Sequence, residues 1–81
     1  MTYFEEMDAD GMFETLGYVK DDCVICDRYK SDEHELIISF GLNTKEINIS
    51  TYSDLIVTLT MRELQAINRK CEELGWLQDN R

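Results

Sequence analysis

The segment "TMRELQAINRKCEELGW" at residues 60–76 constrains the fold most, because it carries a complete helix signature. Thr60 and Glu63 match the capping box, in which each side chain accepts a hydrogen bond from the other residue's backbone N–H. Apolar side chains then recur at intervals of three and four residues, which places them on one helical face. They are Met61, Leu64, Ile67, Cys71 and Leu74. Because Gly75 suits the left-handed position that ends a helix, the sequence predicts an amphipathic helix from about 61 to 74.

The middle of the chain shows the alternation of apolar and polar side chains that is typical of strands. It extends over "ELIISFGL" at 35–42 and "KEINIST" at 45–51, and the polar residues between them suit a tight hairpin turn. The Val, Ile and Tyr content of "CVICDRYK" at 23–30 predicts a third strand, joined to the next by the polar loop "SDEH". Residues 55–59, "LIVTL", are predicted as extended chain or as a short fourth strand.

A short helix is predicted near the N-terminus over "DGMFETLGY", with Asp10 as its cap and Gly17 at its end. The expected fold class is α+β: a short N-terminal helix, a three- to four-stranded antiparallel meander, and a C-terminal amphipathic helix packed on one face of the sheet. With 81 residues, the chain is expected to form a single small domain over 1–81. Residues 1–11 are expected to form an acidic extension that need not be ordered.

The composition limits the cellular location. The first ten residues are acidic and lack the apolar run of a signal peptide. No stretch approaches the roughly 18 apolar residues of a membrane span. Three cysteines are an odd number, which fits reduced thiols in a cytosol better than a disulfide framework. The sequence therefore predicts a soluble, cytoplasmic protein.

Acidic residues are concentrated in the first half of the chain. Residues 1–36 carry eleven acids against three bases, whereas residues 37–81 carry six acids against five bases. The formal net charge is −9. Such a surface repels nucleic acid and anionic membranes, and it attracts basic protein surfaces. We therefore expect no direct binding to nucleic acid or to a membrane.

Cys23 and Cys26 have the separation that metal and redox sites use. With His34 and Cys71, the chain offers the four ligands that zinc takes. A zinc-binding pair requires a tight turn, however, and residues i and i+3 of a regular strand face opposite sides. No helix is predicted to start at Cys23 and lower its thiol pKa. Both cysteines are therefore interpreted as small apolar strand residues, and no metal and no cofactor are expected.

Two further kinds of site are disfavoured. Glu6, Asp8 and Asp10 match the first ligand positions of a calcium loop, but Gly17 stands where the loop requires a glutamate. These carboxylates instead precede a helix, where negative charge is favourable. His34 is the only histidine and has neither a neighbouring nucleophile nor a glycine-rich oxyanion segment. The sequence therefore predicts that the protein is not an enzyme.

Two segments, "MFETLGY" at 12–18 and "LTMRELQAINRKCEELGW" at 59–76, carry a family resemblance. They resemble a group of small uncharacterised proteins of Gram-positive bacteria and their phages or prophages. In that group an MFExLGY segment precedes the strands, and an ITxxELxAIxxxxxELGW helix ends the domain. The resemblance implies a phage or prophage origin and an α+β arrangement, and it implies no catalytic residues. The residues before Met12 depart from it, since the matching methionine often lies near the start of the relatives.

The leading hypothesis is a non-enzymatic, acidic protein-binding module that acts as an inhibitor. Its carboxylates would replace nucleic-acid phosphates on a basic surface of a host nuclease, CRISPR effector or transcription factor. The residues expected to bind this partner are Glu5, Glu6, Asp8, Asp10, Asp21, Asp22, Asp32, Glu33 and Glu35. The alternative is a structural or self-assembling phage accessory protein that forms a homo-oligomer and is not a nucleic-acid mimic.

Overall fold

The computed structural model describes residues 3–51 and 57–77, with the backbone alone at Asp22. A 3-10 turn, Phe4–Glu6, precedes helix α1, Ala9–Thr15. The strands that follow are β1, Val19–Asp22; β2, Cys26–Ser31; β3, Leu36–Gly41; and β4, Glu46–Thr51. Helix α2 then extends over Met61–Glu73.

The four strands form one antiparallel sheet in the order β1-β2-β3-β4, which is a meander. Tyr29 of β2 lies opposite Ile38 of β3, which in turn lies opposite Ile49 of β4. Because side chains alternate along a strand, these residues share one face of the sheet. Both helices contribute to the core on that face. The predicted α+β fold class is therefore confirmed.

The core is built on stacked aromatic rings between the helices and the sheet. Phe13 of α1 stacks on Tyr29 of β2, with 4.1 Å between the ring centroids. Phe40 of β3 packs edge-on against both rings. Helix α2 contributes Ala66, Ile67 and Cys71 to the same cluster. Aromatic pairs in these arrangements add specific geometry to the apolar burial that stabilises a small domain.

The boundaries of α2 confirm the predicted signals. The Thr60 hydroxyl accepts a hydrogen bond from the Glu63 N–H at 3.2 Å, and the Glu63 carboxylate accepts one from the Thr60 N–H at 2.8 Å. After the helix, Gly75 has a φ of 75°, in the left-handed region that glycine adopts without strain. The predicted apolar face was partly wrong, since Met61 and Leu64 are exposed.

The buried face of α2 is rotated toward residues that the apolar pattern does not include. Glu63, Ala66 and Lys70 are buried. The two charged side chains have partners: the Tyr18 hydroxyl donates to Glu63, and the Lys70 ammonium lies 2.9 Å from the Asp27 carboxylate. A charged group can be buried when it is paired in this way. The spacing of apolar residues did not reveal this, because the partners lie in other elements.

Helix α1 begins before its predicted cap. Asp8, and not Asp10, is the N-cap, and its carboxylate accepts a hydrogen bond from the Gly11 N–H at 2.8 Å. Both aspartates are suitable caps by residue type, so the sequence alone did not distinguish them. Gly17 follows the helix with a φ of 92°, in the role predicted for it.

The strand assignments differ at two places. Strand β1 was not predicted, and the strand predicted at 23–30 begins only at Cys26, because residues 23–25 form the turn after β1. In the strand predicted at 55–59, residues 55 and 56 lie outside the described residues, and residues 57–59 have no regular secondary structure. The sheet has four strands, within the predicted three to four, but the strand that was not predicted individually is β1.

Candidate functional site

Cys23 and Cys26 lie at the two ends of the turn between β1 and β2. The pairing of β1 with β2 ends at Asp22 and Asp27, so four residues, Cys23 to Cys26, connect the paired parts of the two strands. Cys26 already belongs to β2, because it pairs with Gly41 of β3. Both cysteines are half-exposed. The prediction that both cysteines lie within one strand was therefore wrong for Cys23, whereas Cys26 is the first residue of β2.

The turn brings the two thiols close to each other. Hydrogen bonding with Cys26 lowers the pKa of Cys23. The backbone N–H groups of Ile25 and Cys26 and the positive charge of Arg28 lower it further. The same thiol–thiol contact raises the pKa of Cys26. The two thiols therefore interact with each other at the surface of the turn.

The other two candidate zinc ligands lie elsewhere. Cys71 is buried in the core, and burial raises the pKa of its thiol. His34 lies in the exposed turn between β2 and β3, at the opposite end of β2 from Cys26, and its ring stacks on Tyr18. Among the residues that the structure describes, no group of three or more histidines, cysteines or carboxylates could hold a metal ion.

The first group of predicted partner-binding residues lies where the N-terminal segment meets the end of α2. We call it the N-terminal patch, and it consists of Glu5, Glu6, Asp8, Glu72 and Glu73. Several of these carboxylates surround a shallow groove with Arg69, of about 410 Å³. Arg69 donates to the Glu5 carbonyl at 2.6 Å and lies 3.6 Å from the Glu72 carboxylate. Sequence reasoning missed Glu72 and Glu73, because only the fold brings α2 beside residues 5–8.

The second group surrounds the turn between β2 and β3. We call it the loop patch, and it consists of Asp21, Asp32, Glu33 and Glu35. Three of these residues line a groove of about 460 Å³ together with Lys20 and Lys30, so the patch is not uniformly acidic. Asp21 accepts two hydrogen bonds from the Arg28 guanidinium, at 3.0 Å and 2.7 Å. Its charge is therefore already compensated within the sheet.

The remaining two predicted partner-binding residues are Asp10, whose side chain the structure describes, and Asp22, of which it describes only the backbone. Asp10 accepts a hydrogen bond from the Tyr29 hydroxyl at 2.5 Å and lies 3.6 Å from the Lys20 ammonium. The hydrogen bond from Tyr29 is the main cause that lowers the pKa of Asp10. The side chain of Asp22 lies outside the described part of the chain. Asp8 and Asp10 thus have structural roles, as a helix cap and as a hydrogen-bond acceptor, in place of a calcium loop.

A third groove, of about 380 Å³, runs beside α1 and is lined by Tyr18 and Tyr29. Burial, followed by the hydrogen bond to Glu63, raises the pKa of Tyr18. Burial, followed by the hydrogen bond to Asp10, raises the pKa of Tyr29. Both phenols therefore remain protonated donors near neutral pH, and each already donates to a carboxylate. This groove presents polar groups that are held in place by the fold.

Comparison of the chain with protein-family models, with curated proteins and with solved structures found no match. The relation to small proteins of Gram-positive bacteria and their phages therefore stays a prediction from the two resembling segments. Over residues 3–51 and 57–77, no helix has the length and apolar character needed to cross a membrane.

Proposed function

We propose that the chain is a non-enzymatic, acidic module that binds a basic, nucleic-acid-binding surface of a partner protein. The observation that carries this proposal is a set of exposed carboxylates that form no ion pair with another described residue. They are Glu5 and Glu6 in the N-terminal patch and Glu33 and Glu35 in the loop patch. Because the fold does not use their charge, it is available to lysine and arginine side chains of a partner.

The chemistry of the surface favours a protein partner. A net charge of −9 on 81 residues gives a negative potential that steers a basic protein toward the chain and repels nucleic acid. A nuclease, a CRISPR effector or a transcription factor presents such a basic surface. The phage or prophage origin, which rests on the resemblance of residues 12–18 and 59–76, makes a host protein of this class the expected partner.

The state of the tyrosines supports binding over acid–base catalysis. Tyr18 and Tyr29 line the groove beside α1, but their hydroxyl protons are held by hydrogen bonds to Glu63 and Asp10. A general base must be able to accept a proton near the working pH. The polar groups of this groove therefore support the fold, and the free charges lie on the two patches.

The experiment is affinity capture from bacterial lysate at low salt, with elution by stepped salt and then by competing duplex DNA. The wild-type chain is compared with the variant Glu5→Gln, Glu6→Gln, Glu33→Gln, Glu35→Gln. The matched control is Glu46→Gln, an exposed residue of β4 outside both patches. Asp21 is unsuitable for this test, because its replacement also frees Arg28.

We expect the wild-type chain to retain a nucleic-acid-binding protein that DNA displaces. Four exposed charge pairs at up to about 0.5 kcal/mol each amount to at most about 2 kcal/mol, so the quadruple variant should bind it up to about thirtyfold more weakly. The Glu46→Gln control should bind as the wild type does. Equal retention of the same protein by the quadruple variant would contradict the proposal. So would a lysate from which the wild-type chain retains no protein that DNA displaces.

A self-assembling role is the second candidate, and the exposed apolar residues of the β1–β2 turn favour it. Val24 and Ile25 are 97% and 63% exposed, and Leu42 lies beside them because its N–H donates to the Ile25 carbonyl at 3.1 Å. Light scattering over a range of protein concentrations tests this role. An oligomer whose formation is not weakened by salt would favour self-assembly over binding to a basic partner.

A further inference from the structure

The β1–β2 turn has the geometry of a metal-chelating pair. In many structural zinc sites, two of the thiolates come from cysteines with two residues between them on a tight turn, so that both sulfurs can face one metal. Cys23 and Cys26 are the first and last of the four residues that connect the paired parts of β1 and β2, and both are half-exposed. Both cysteines therefore lie at the same end of the β1–β2 hairpin.

Two thiolates do not complete a zinc site, which takes four ligands. Within the described residues no third ligand joins the pair. Asp27 follows Cys26 in the chain, but its carboxylate already pairs with the Lys70 ammonium at 2.9 Å. A second copy of the chain supplies the missing pair when two identical turns meet on a twofold axis, the commonest symmetry of protein dimers.

The apolar residues of the turn favour a second copy as the source of the missing ligands. Val24 is 97% exposed and Ile25 is 63% exposed, on a chain whose surface is otherwise rich in carboxylates. Leu42 extends this apolar surface from the neighbouring β3–β4 turn. When two such turns face each other across a metal ion, these side chains are removed from water on both chains.

We propose that the Cys23–Cys26 turn is one half of a zinc site, which the same turn of a second copy completes, so that one zinc ion links two chains through four thiolates. Zinc replaces the four thiol protons, which pass to solvent, and no group is oxidised or reduced. The acidic patches take no part in this site. The inference therefore goes beyond the proposed function and does not depend on it.

Salt separates this association from binding to a basic partner. Two chains that each carry a net charge of −9 repel one another, and added salt screens this repulsion. The zinc-linked dimer should therefore be strengthened by moderate salt. Binding of the acidic patches to a basic surface should be weakened by the same change.

The experiment is titration of the full, reduced chain with Zn²⁺ and with Co²⁺, followed by light scattering and by absorption spectroscopy. We expect a doubling of the molar mass at one metal ion per two chains, reversed by a chelator. Co²⁺ should give the sulfur-to-metal charge-transfer absorption of a tetrahedral thiolate site. Cys23→Ser and Cys26→Ser should each lose both signals, whereas Cys71→Ala and Glu46→Gln should retain them.

Three outcomes would overturn the inference. The first is a chain that stays monomeric with zinc, and the second is saturation at one metal ion per chain. The third is mass doubling that persists in Cys23→Ser and Cys26→Ser, which would assign zinc to the surface carboxylates. Glu46→Gln keeps all three cysteines, so it serves as the retained control if Cys71→Ala does not fold.

Discussion

Two regions differ from the usual distribution, in which charged side chains are exposed and apolar ones are buried. One is the contact between α2 and the sheet, and the other is the turn between β1 and β2. Beneath α2, the charged residues Glu63 and Lys70 are only 3% and 7% exposed. At the turn, the apolar residues Val24 and Ile25 are among the most exposed of the described chain. Each region therefore departs from the pattern of polar surface and apolar interior, but for different reasons.

The buried charges are explained by contacts within the fold. The Lys70 ammonium lies 2.9 Å from the Asp27 carboxylate and 5.7 Å from the centroid of the Tyr29 ring. Tyr29 in turn donates to Asp10. A buried charge with such partners is tolerated, whereas one without them costs several kcal/mol. Val24, by contrast, is 97% exposed, and the proposed zinc-linked dimer would bury it against a second copy.

The largest expected effect comes from breaking the buried pair. Lys70→Met should lower the free energy of unfolding by about 2–3 kcal/mol, because it leaves the Asp27 carboxylate without its cation. The loss should stay below that of a fully buried pair, since the Asp27 side chain is 22% exposed. Urea unfolding at neutral pH measures it.

Two further variants identify the cause of that loss. Lys30→Met replaces an exposed lysine of β2 and should change stability by less than about 0.5 kcal/mol. The double variant Lys70→Met, Asp27→Leu should regain most of the loss, because no unpaired charge remains. If Lys70→Met is as stable as the wild type, the ion pair does not account for the burial of Lys70.

Local signals made α2 predictable, and long-range pairing made its buried face unpredictable. The cap at Thr60 and the end at Gly75 depend on residues within one turn of the helix, so the sequence shows them directly. Burial of Glu63 depends on the hydroxyl of Tyr18, which lies 45 residues away in the chain. No periodicity within α2 carries information about that partner.

The same reasoning applies to the candidate sites. Val24 and Ile25 have high strand propensity, and the turn they form lacks the glycine, proline or asparagine that marks most turns. Only the pairing of β1 with β2 places the turn there, and β1 itself has a charged sequence without a strand pattern. The acidic half of the chain was visible from composition, but the contribution of α2 to the N-terminal patch required the fold.

A smaller effect is expected at Asp10, where the buried contacts reach the surface. The hydrogen bond from Tyr29 lowers the pKa of Asp10, and the charges of Lys20 and Lys70 act in the same direction. A carboxyl group whose pKa is lower in the folded state stabilises the fold above its unfolded pKa of about 4. That contribution is lost as the pH falls through the lower, folded value.

Asp10→Asn should therefore be less stable than the wild type near neutral pH, and the difference should shrink below about pH 4. It should not exceed about 1 kcal/mol, because the Asp10 side chain is 55% exposed and solvent screens its interactions. Urea unfolding between about pH 3 and pH 7 measures the difference. Glu14→Gln, an exposed position of the same helix, is the control. A difference that does not change with pH would show that the carboxylate charge is unimportant.

The smallest effect on stability is expected for substitutions in the β1–β2 turn, which test the exposed apolar residues of the comparison. Val24→Thr, Ile25→Thr keeps β-branched side chains but makes them polar. Because neither residue is buried, the free energy of unfolding should change by less than about 0.5 kcal/mol. The zinc-dependent increase in mass should nevertheless weaken, since both thiols remain but the apolar contact between copies is lost. Val19→Thr, at a position of β1 away from the turn that is 71% exposed, should change neither property. A loss above about 1 kcal/mol would mean that the turn is packed within one chain, and the contrast between the two regions would then fail.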